Sequence, residues 1–310
     1  MRGFLMGAAD IVPGVSGGTI ALVLRIYERL VTSIRNGSLA LGSLLRLDRT
    51  TAVTWLKRVD WKLLIPLLTG ILLAVATLSH FLEVQLAERP VQLAGAFTGL
   101  VAGSAVVAWR LIDVDLRRIA VLVAAAIVTF VALGLSEGTS EDTVAQAADP
   151  ALLAFFLAGS IAICAMILPG ISGSFLLVVM GMYGPVLAAV TSRSFVTILV
   201  FIAGAIVGLA LFSQILHWAL RHYHDTVMAA LIGLMVGSIR VLWPWPDGVN
   251  STALGAPQAP VLTVVLLAAA GFGLVVLIDF ASQRLAPKPE PVAIDDAEAA
   301  VPTGEHEITD

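Results

Sequence analysis

One short phrase occurs twice in this chain, and each copy interrupts a helix. Ile11-Val12-Pro13-Gly14-Val15-Ser16-Gly17-Gly18 recurs as Ile167-Leu168-Pro169-Gly170-Ile171-Ser172-Gly173-Ser174. Each copy leads into an apolar stretch that reaches a tyrosine, Tyr27 and Tyr183, at the same spacing of 156 residues. Proline removes a backbone donor and glycine loosens the chain, so Pro-Gly ends a helix. In hydrocarbon the backbone groups set free are costly unless something satisfies them. Matched breaks in two halves of one chain are the pattern with which transporters build a mid-membrane substrate site.

Composition places those breaks in a bilayer. Of 310 residues, 58% are hydrophobic and 13% charged, with a mean hydropathy of +0.95, more apolar surface than a soluble chain of this length needs. The formal charge of −4 misleads, because the acids cluster at the end. From Ala286 the chain is rich in Pro, Ala and acids, and 286–310 reads as a disordered cytoplasmic tail. A single cysteine, Cys164, excludes an internal disulfide and a cysteine-built metal site. No cleavable signal peptide is expected at Met1–Asp10. Nothing calls for a catalytic group, a cofactor, a metal ion or a nucleic-acid partner, and oligomeric state is not legible.

The expected fold is an all-α polytopic membrane protein. Segments 62–82, 92–109, 119–136, 196–217, 227–243 and 261–281 are apolar and long enough to cross. Residues 1–33 and 151–191, around the breaks, read as re-entrant helical hairpins. The first repeat is then 1–136, with a cytoplasmic basic loop at 34–61 and three spans at 62–136. An external acidic loop follows at 137–150, and the second repeat is 151–285. On this map 15 of the 18 Lys and Arg fall on one side, which the positive-inside rule assigns to the cytoplasm together with both termini. All six tryptophans lie near span ends, where an amphipathic ring prefers the interface.

The duplication extends past the phrase. Gly70–Leu82 aligns with Gly204–Leu216 at an offset of 134, as do Gly99–Ser104 with Gly233–Ser238 and Trp109 with Trp243. A hairpin plus three spans is an odd number of crossings, so the second copy enters from the opposite face. This is an inverted-topology repeat, suited to alternating access. The ladders Gly95, Gly99, Gly103 and Gly233, Gly237 read as close helix packing.

After each break a helix begins, with unpartnered N–H groups and the positive end of its dipole. The natural guest is an oxyanion such as phosphate. The candidate ligands are Pro13, Gly14, Ser16, Gly17, Gly18 and Thr19 in one half, and Pro169, Gly170, Ser172, Gly173 and Ser174 in the other. Ionisable residues at depth are the candidate coupling or charge partners. Asp10 reads as a proton carrier, a partner for a basic residue, or a helix-end cap. Arg25 and Glu28 read as a surface pair or as site charges, and Arg240 as a phosphate partner or a side chain snorkelling outward. Asp279 and His80 read as interfacial, and a metal site among His217, His222 and His224 is not expected.

The string from Ala9 to Ala21, ending in Ile26-Tyr27-Glu28-Arg29, resembles the signature of the DUF368 family. Leu168 to Phe175 with Gly181-Met182-Tyr183 resembles it too, and the resemblance covers roughly residues 3–281. Members are bacterial membrane proteins identified as polyprenyl-phosphate transporters, flippases that return undecaprenyl phosphate to the cytoplasmic leaflet for cell-wall synthesis. The resemblance implies a lipid-phosphate substrate, its head at the breaks and its chain left in the bilayer. A channel or exchanger for a small inorganic anion is the alternative. The motif is also similar to that of membrane polyprenyl-diphosphate phosphatases. Gly17 and Gly173 stand where such a site carries arginine, and no metal-binding acid cluster is present, so hydrolysis lacks its source of charge stabilisation.

Overall fold

The structure is a computed structural model describing residues 2–11, 16–134, 150–248 and 254–285. The described residues form helices joined by turns and short loops, without a strand. The first half runs α1 (Arg2–Asp10), α2 (Gly17–Val23), α3 (Tyr27–Leu45), α4 (Arg49–Lys57), α5 (Trp61–Glu88), α6 (Pro90–Trp109) and α7 (Leu116–Gly134). The second runs α8 (Leu152–Ile167), α9 (Gly173–Val179), α10 (Tyr183–Thr191), α11 (Phe195–Ser238) and α12 (Val261–Leu285).

Among the described residues five helices are long and apolar enough to cross a membrane: α5, α6, α7, α11 with the 3-10 turn that follows it, and α12. The chain is therefore a multi-pass membrane protein. In α6, 56% of the most apolar window is buried, against 6–17% in the other four, so α6 is the central helix and the others turn apolar faces outward. Leu72, Ile127, Val128, Leu199 and Leu266 are among the side chains left for lipid. Phe195–Leu242 spans 48 residues. At 1.5 Å per residue that is about 72 Å, more than twice a hydrocarbon core of about 30 Å. Tyr223, with φ −137° and ψ 41°, breaks it into two crossing lengths. The sequence separates these as 196–217 and 227–243. Residues 218–226 contain neither Gly nor Pro, so the helix is interrupted at a single residue instead of a loop.

Two further stretches differ from the sequence reading. Residues 34–61 are mostly helical, in α3 and α4, because Asp48 caps α4 by accepting from Thr51 N at 3.1 Å and one face of α3 packs inward through Val31, Asn36 and Ala40. The helix expected after each break is split by a second turn. Arg25 N bonds Leu22 O and Ile26 N bonds Ala21 O, and Gly181 and Met182 repeat the pattern on Val178 and Leu177. These are helix C-terminal turns that place one residue in the left-handed region. That residue is Arg25 (φ 56°) in the first half and Gly181 (φ 67°), 156 positions on, in the second.

The glycine ladders are packing surfaces. A Cβ at Gly99 would stand 1.9 Å from the Ala268 carbonyl oxygen on α12, and one at Gly233 would stand 2.3 Å from that of Leu122 on α7. α1 meets α5 at Gly3 against Leu67, and α8 meets α11 at Gly159 against Phe201. The main core gathers around Val101, Ile26, Ile232, Met235 and Leu242, where α6, the α2–α3 turn and the second length of α11 converge.

Candidate functional site

The two breaks meet. α1 ends at Asp10 and α2 starts after Ser16, an extended N-cap residue (φ −120°, ψ 143°) whose Oγ accepts from Gly18 N at 3.0 Å. The same hydroxyl donates to Leu168 O in the other break at 3.1 Å. Thr19, fully buried, accepts at Oγ1 from Gly170 N at 3.1 Å. Tyr27 donates its hydroxyl to Ile167 O at 3.2 Å. Three hydroxyls of the first half thus hold three consecutive features of the second: the last residue of α8, the extended Leu168, and the Gly170 turn.

Gly170 has φ +83°, and a Cβ there would lie 2.7 Å from Met235 Cα, so only glycine combines that conformation with so close an approach to α11. Pro169 is buried beside it. Pro13 and Gly14 lie outside the described residues.

A cavity of about 380 Å³ opens at this junction. Its polar wall is Asp10, Ser16, Ser172, Gly173 and Ser174, and its apolar wall includes Ile163, Met166, Leu177 and Phe201. Ser172 and Ser174 place their hydroxyls 2.8 Å apart at the start of α9. The halves are not equivalent. At α2 the Asp10 carboxylate accepts from Gly17 N at 2.5 Å and Ser16 caps Gly18, so a carboxylate and a hydroxyl of the chain already hold that helix start. Ser16, Gly17, Gly18 and Thr19 are all buried. At α9, Ser172 and Ser174 face the cavity, with Asp10 across the same space.

The other charges lie elsewhere. Arg25 Nη2 pairs with Asp279 on α12 at 3.5 Å. Asp279 is 3% exposed: α12 brings it against Arg25 at the α2–α3 turn, a contact that hydropathy cannot report. Glu28 Oε1 lies 2.9 Å from His224 Nε2, His224 Nδ1 lies 2.8 Å from Asp225, and Asp225 pairs with Arg118 of α7 at 2.9 Å. This chain crosses three helices at the Tyr223 break; the sequence singled out Glu28 and His224 separately and gave no sign that they pair. Arg240 lies with its guanidinium 4.8 Å over the Phe130 ring, apart from the residues lining the cavity. Among the described residues no cluster of His, Cys, Asp and Glu could hold a metal.

An outward apolar belt, two interrupted helices and a polar-tipped cavity where the interruptions join define the class: a multi-pass membrane protein. Residues 6–256 match the family model described as undecaprenyl phosphate translocase-like, and the chain belongs to that family. It is 39% identical over 252 residues, 80% of this chain and 77% of the relative, to the polyprenyl-phosphate transporter of Vibrio cholerae serotype O1. It is 30% identical over 258 residues, 79% of this chain and 85% of the relative, to the polyprenyl-phosphate transporter of Staphylococcus aureus. No solved structure matches it.

Proposed function

We propose that this chain is a transporter, not an enzyme, that moves polyprenyl phosphate from the outer to the inner leaflet of a bacterial cytoplasmic membrane, returning the lipid carrier to cell-wall synthesis. The names of its two relatives and its family support the substrate class. The observation that carries the reading is the cavity at the joined breaks, where serines at a helix start face a wall of Ile163, Met166, Leu177 and Phe201. A phosphate head suits the first surface and a hydrocarbon chain the second. Met166 lines the cavity and is 49% exposed, and Leu157 and Ile161 on α8 are also exposed, so the cavity borders the lipid-facing flank of α8. That favours a lipid headgroup over a small inorganic anion, which needs a water-filled vestibule.

In this reading Ser172, Gly173 and Ser174 receive the head first. Asp10 occupies the matching place at α2, so the incoming phosphate meets a carboxylate across the cavity. Protonation of Asp10, or its rotation away, frees Gly17 and relieves that repulsion. Breaking the Ser16–Leu168, Thr19–Gly170 and Tyr27–Ile167 bonds then lets the halves rock apart, exposing Ser16 and Thr19 to the head.

The inverted repeat, with re-entrant hairpins at 1–33 and 151–191, belongs to the same proposal. Paired contacts support it: Gly3–Leu67 and Gly159–Phe201 correspond at offsets of 156 and 134. Gly99–Ala268 and Gly233–Leu122 exchange the partner helices α12 and α7 in the same sense. Both termini are assigned to the cytoplasm by the basic residues.

The test is headgroup accessibility in proteoliposomes carrying the Ser172→Ala, Ser174→Ala double variant. Each hydroxyl bond to a charged head is worth about 1.5–3 kcal/mol, roughly ten- to a hundredfold in affinity. Translocation should fall by at least tenfold, and an undiminished rate removes the site. Chloride or sulfate flux through the wild type without lipid phosphate movement establishes the inorganic-anion reading instead.

A further inference from the structure

Beyond the break cavity, a second cavity of about 300 Å³ lies on the other side of the joined breaks. Arg25, Tyr27, Glu28, Arg29, His224 and Met228 line it. Tyr27 faces it and donates to Ile167 O, while the next carbonyl, Leu168 O, accepts from Ser16, which faces the first cavity. Two consecutive carbonyls of the second break therefore carry the partition between the cavities. We propose that Arg25 and Arg29, at the start of α3, form a second phosphate-binding site, the station that receives the headgroup once it passes that partition.

The backbone supplies the first argument. Arg25 holds φ 56°, a left-handed conformation that disfavours any residue with a Cβ. Its counterpart 156 positions later, Gly181, makes the same turn at φ 67° without that cost. Strain retained at one of two matched positions points to a use for the side chain. Arg25 is spread between its single 3.5 Å contact with Asp279 and the cavity, with 46% of the side chain exposed. Arg29 pairs with Asp60 and keeps 57% of its side chain exposed.

Electrostatics supply the second argument. Tyr27, Glu28 and Arg29 are the first turn of α3, and Ile26 before them offers no side-chain cap. The 19-residue α3 thus directs its positive end toward the two guanidinium groups. The opposing charges are Asp279 beside Arg25, Asp60 beside Arg29, and Glu28, which is engaged by His224. Each nitrogen of that ring faces a carboxylate, Nε2 with Glu28 at 2.9 Å and Nδ1 with Asp225 at 2.8 Å. Planar guanidinium groups beside a helix start are suited to a phosphate monoester.

This inference rests on the proposed transport of a phosphate lipid, and its test separates the two. Full-length protein in nanodiscs of neutral lipid is titrated with geranyl phosphate and, separately, with inorganic phosphate, and heat is measured. Arg25→Gly keeps the turn with the residue the other half uses, so its Tm should equal or exceed that of the wild type. Binding of geranyl phosphate to the second site should weaken about tenfold or more in Arg25→Gly and in Arg29→Gln, the loss of one charge-assisted contact. The Ser172→Ala, Ser174→Ala variant should retain this site. Unchanged affinity in both arginine variants overturns the proposal. A lowered Tm in Arg25→Gly makes Asp279 the reason for Arg25, and Arg29→Gln then decides alone. Inorganic phosphate competing as well as geranyl phosphate identifies free phosphate as the occupant. Wild-type protein that binds both probes but moves no lipid phosphate refutes the transport reading and leaves the second site standing.

Discussion

Replacing Thr19 with valine isolates the joint between the two halves. The hydroxyl of this fully buried residue is the acceptor for Gly170 N, at 3.1 Å and 151 residues away in sequence. Valine keeps the shape and deletes the acceptor, leaving a buried N–H without a partner. That costs about 1–3 kcal/mol. For a chain of 310 residues each kcal/mol moves Tm by roughly 1.5 °C, so a fall of about 1.5–5 °C is expected. Serine at the same position retains the oxygen and loses only a methyl, so it should recover most of the loss. The assay is thermal unfolding of the detergent-solubilised protein, followed by tryptophan fluorescence. Adding Ser16→Ala removes the neighbouring bond to Leu168 O and the cap on Gly18 N. Because both bonds hold one joint, the double variant should lose less than the sum of the singles. Valine as stable as serine at position 19, with strictly additive losses, would show that the breaks are not fastened to each other.

Gly99→Ala should destabilise by about 1–3 kcal/mol or prevent assembly, because its Cβ would meet the Ala268 backbone at 1.9 Å. Gly37→Ala, with nothing within 4 Å, should instead gain about 0.5–1 kcal/mol in helix α3, and unfolding midpoints compare the pair. Asp10→Asn keeps an oxygen for Gly17 N and removes the charge facing the cavity. Calorimetry should then show phosphate binding about tenfold tighter, the scale of one unit-charge repulsion over several ångströms at an effective dielectric near 20, whereas unchanged binding makes Asp10 a structural cap only. Asp48, outside the membrane spans, is held down to about 2 from 3.8 by its hydrogen bonds with Thr51 and then Thr50. Since its folded pKa is the lower one, its support for α4 is complete above 3.8 and is lost as pH falls toward about 2. Protection of the Thr51 amide, its exchange rate relative to that of an unstructured chain at the same pH, should fall over that interval and stay constant from pH 5 to 7.

The sequence by itself determined the membrane class, because an apolar run reports its own solvent and needs no partner. It also located the second break, where Pro169 and Gly170 end α8, and the apolar lengths on either side of Tyr223, since Pro-Gly and hydropathy act over a few residues. Ser172, Gly173, Ser174 and Asp10 stand out in the sequence as candidates, and they line one cavity. Only the tertiary structure decided that Ser16 and Thr19 serve the joint between halves, that Asp10 already covers the start of α2, and that Asp279 is buried beneath Arg25. The Glu28–His224–Asp225–Arg118 chain was likewise invisible, because its ends are distant in sequence and meet only where α3, α7 and α11 cross. A hydrogen bond between residues more than a hundred positions apart leaves no local trace. Its partners are chosen by which helices pack together, and here that choice is made by glycines that admit a neighbouring backbone and by a left-handed residue that turns each short helix toward the core.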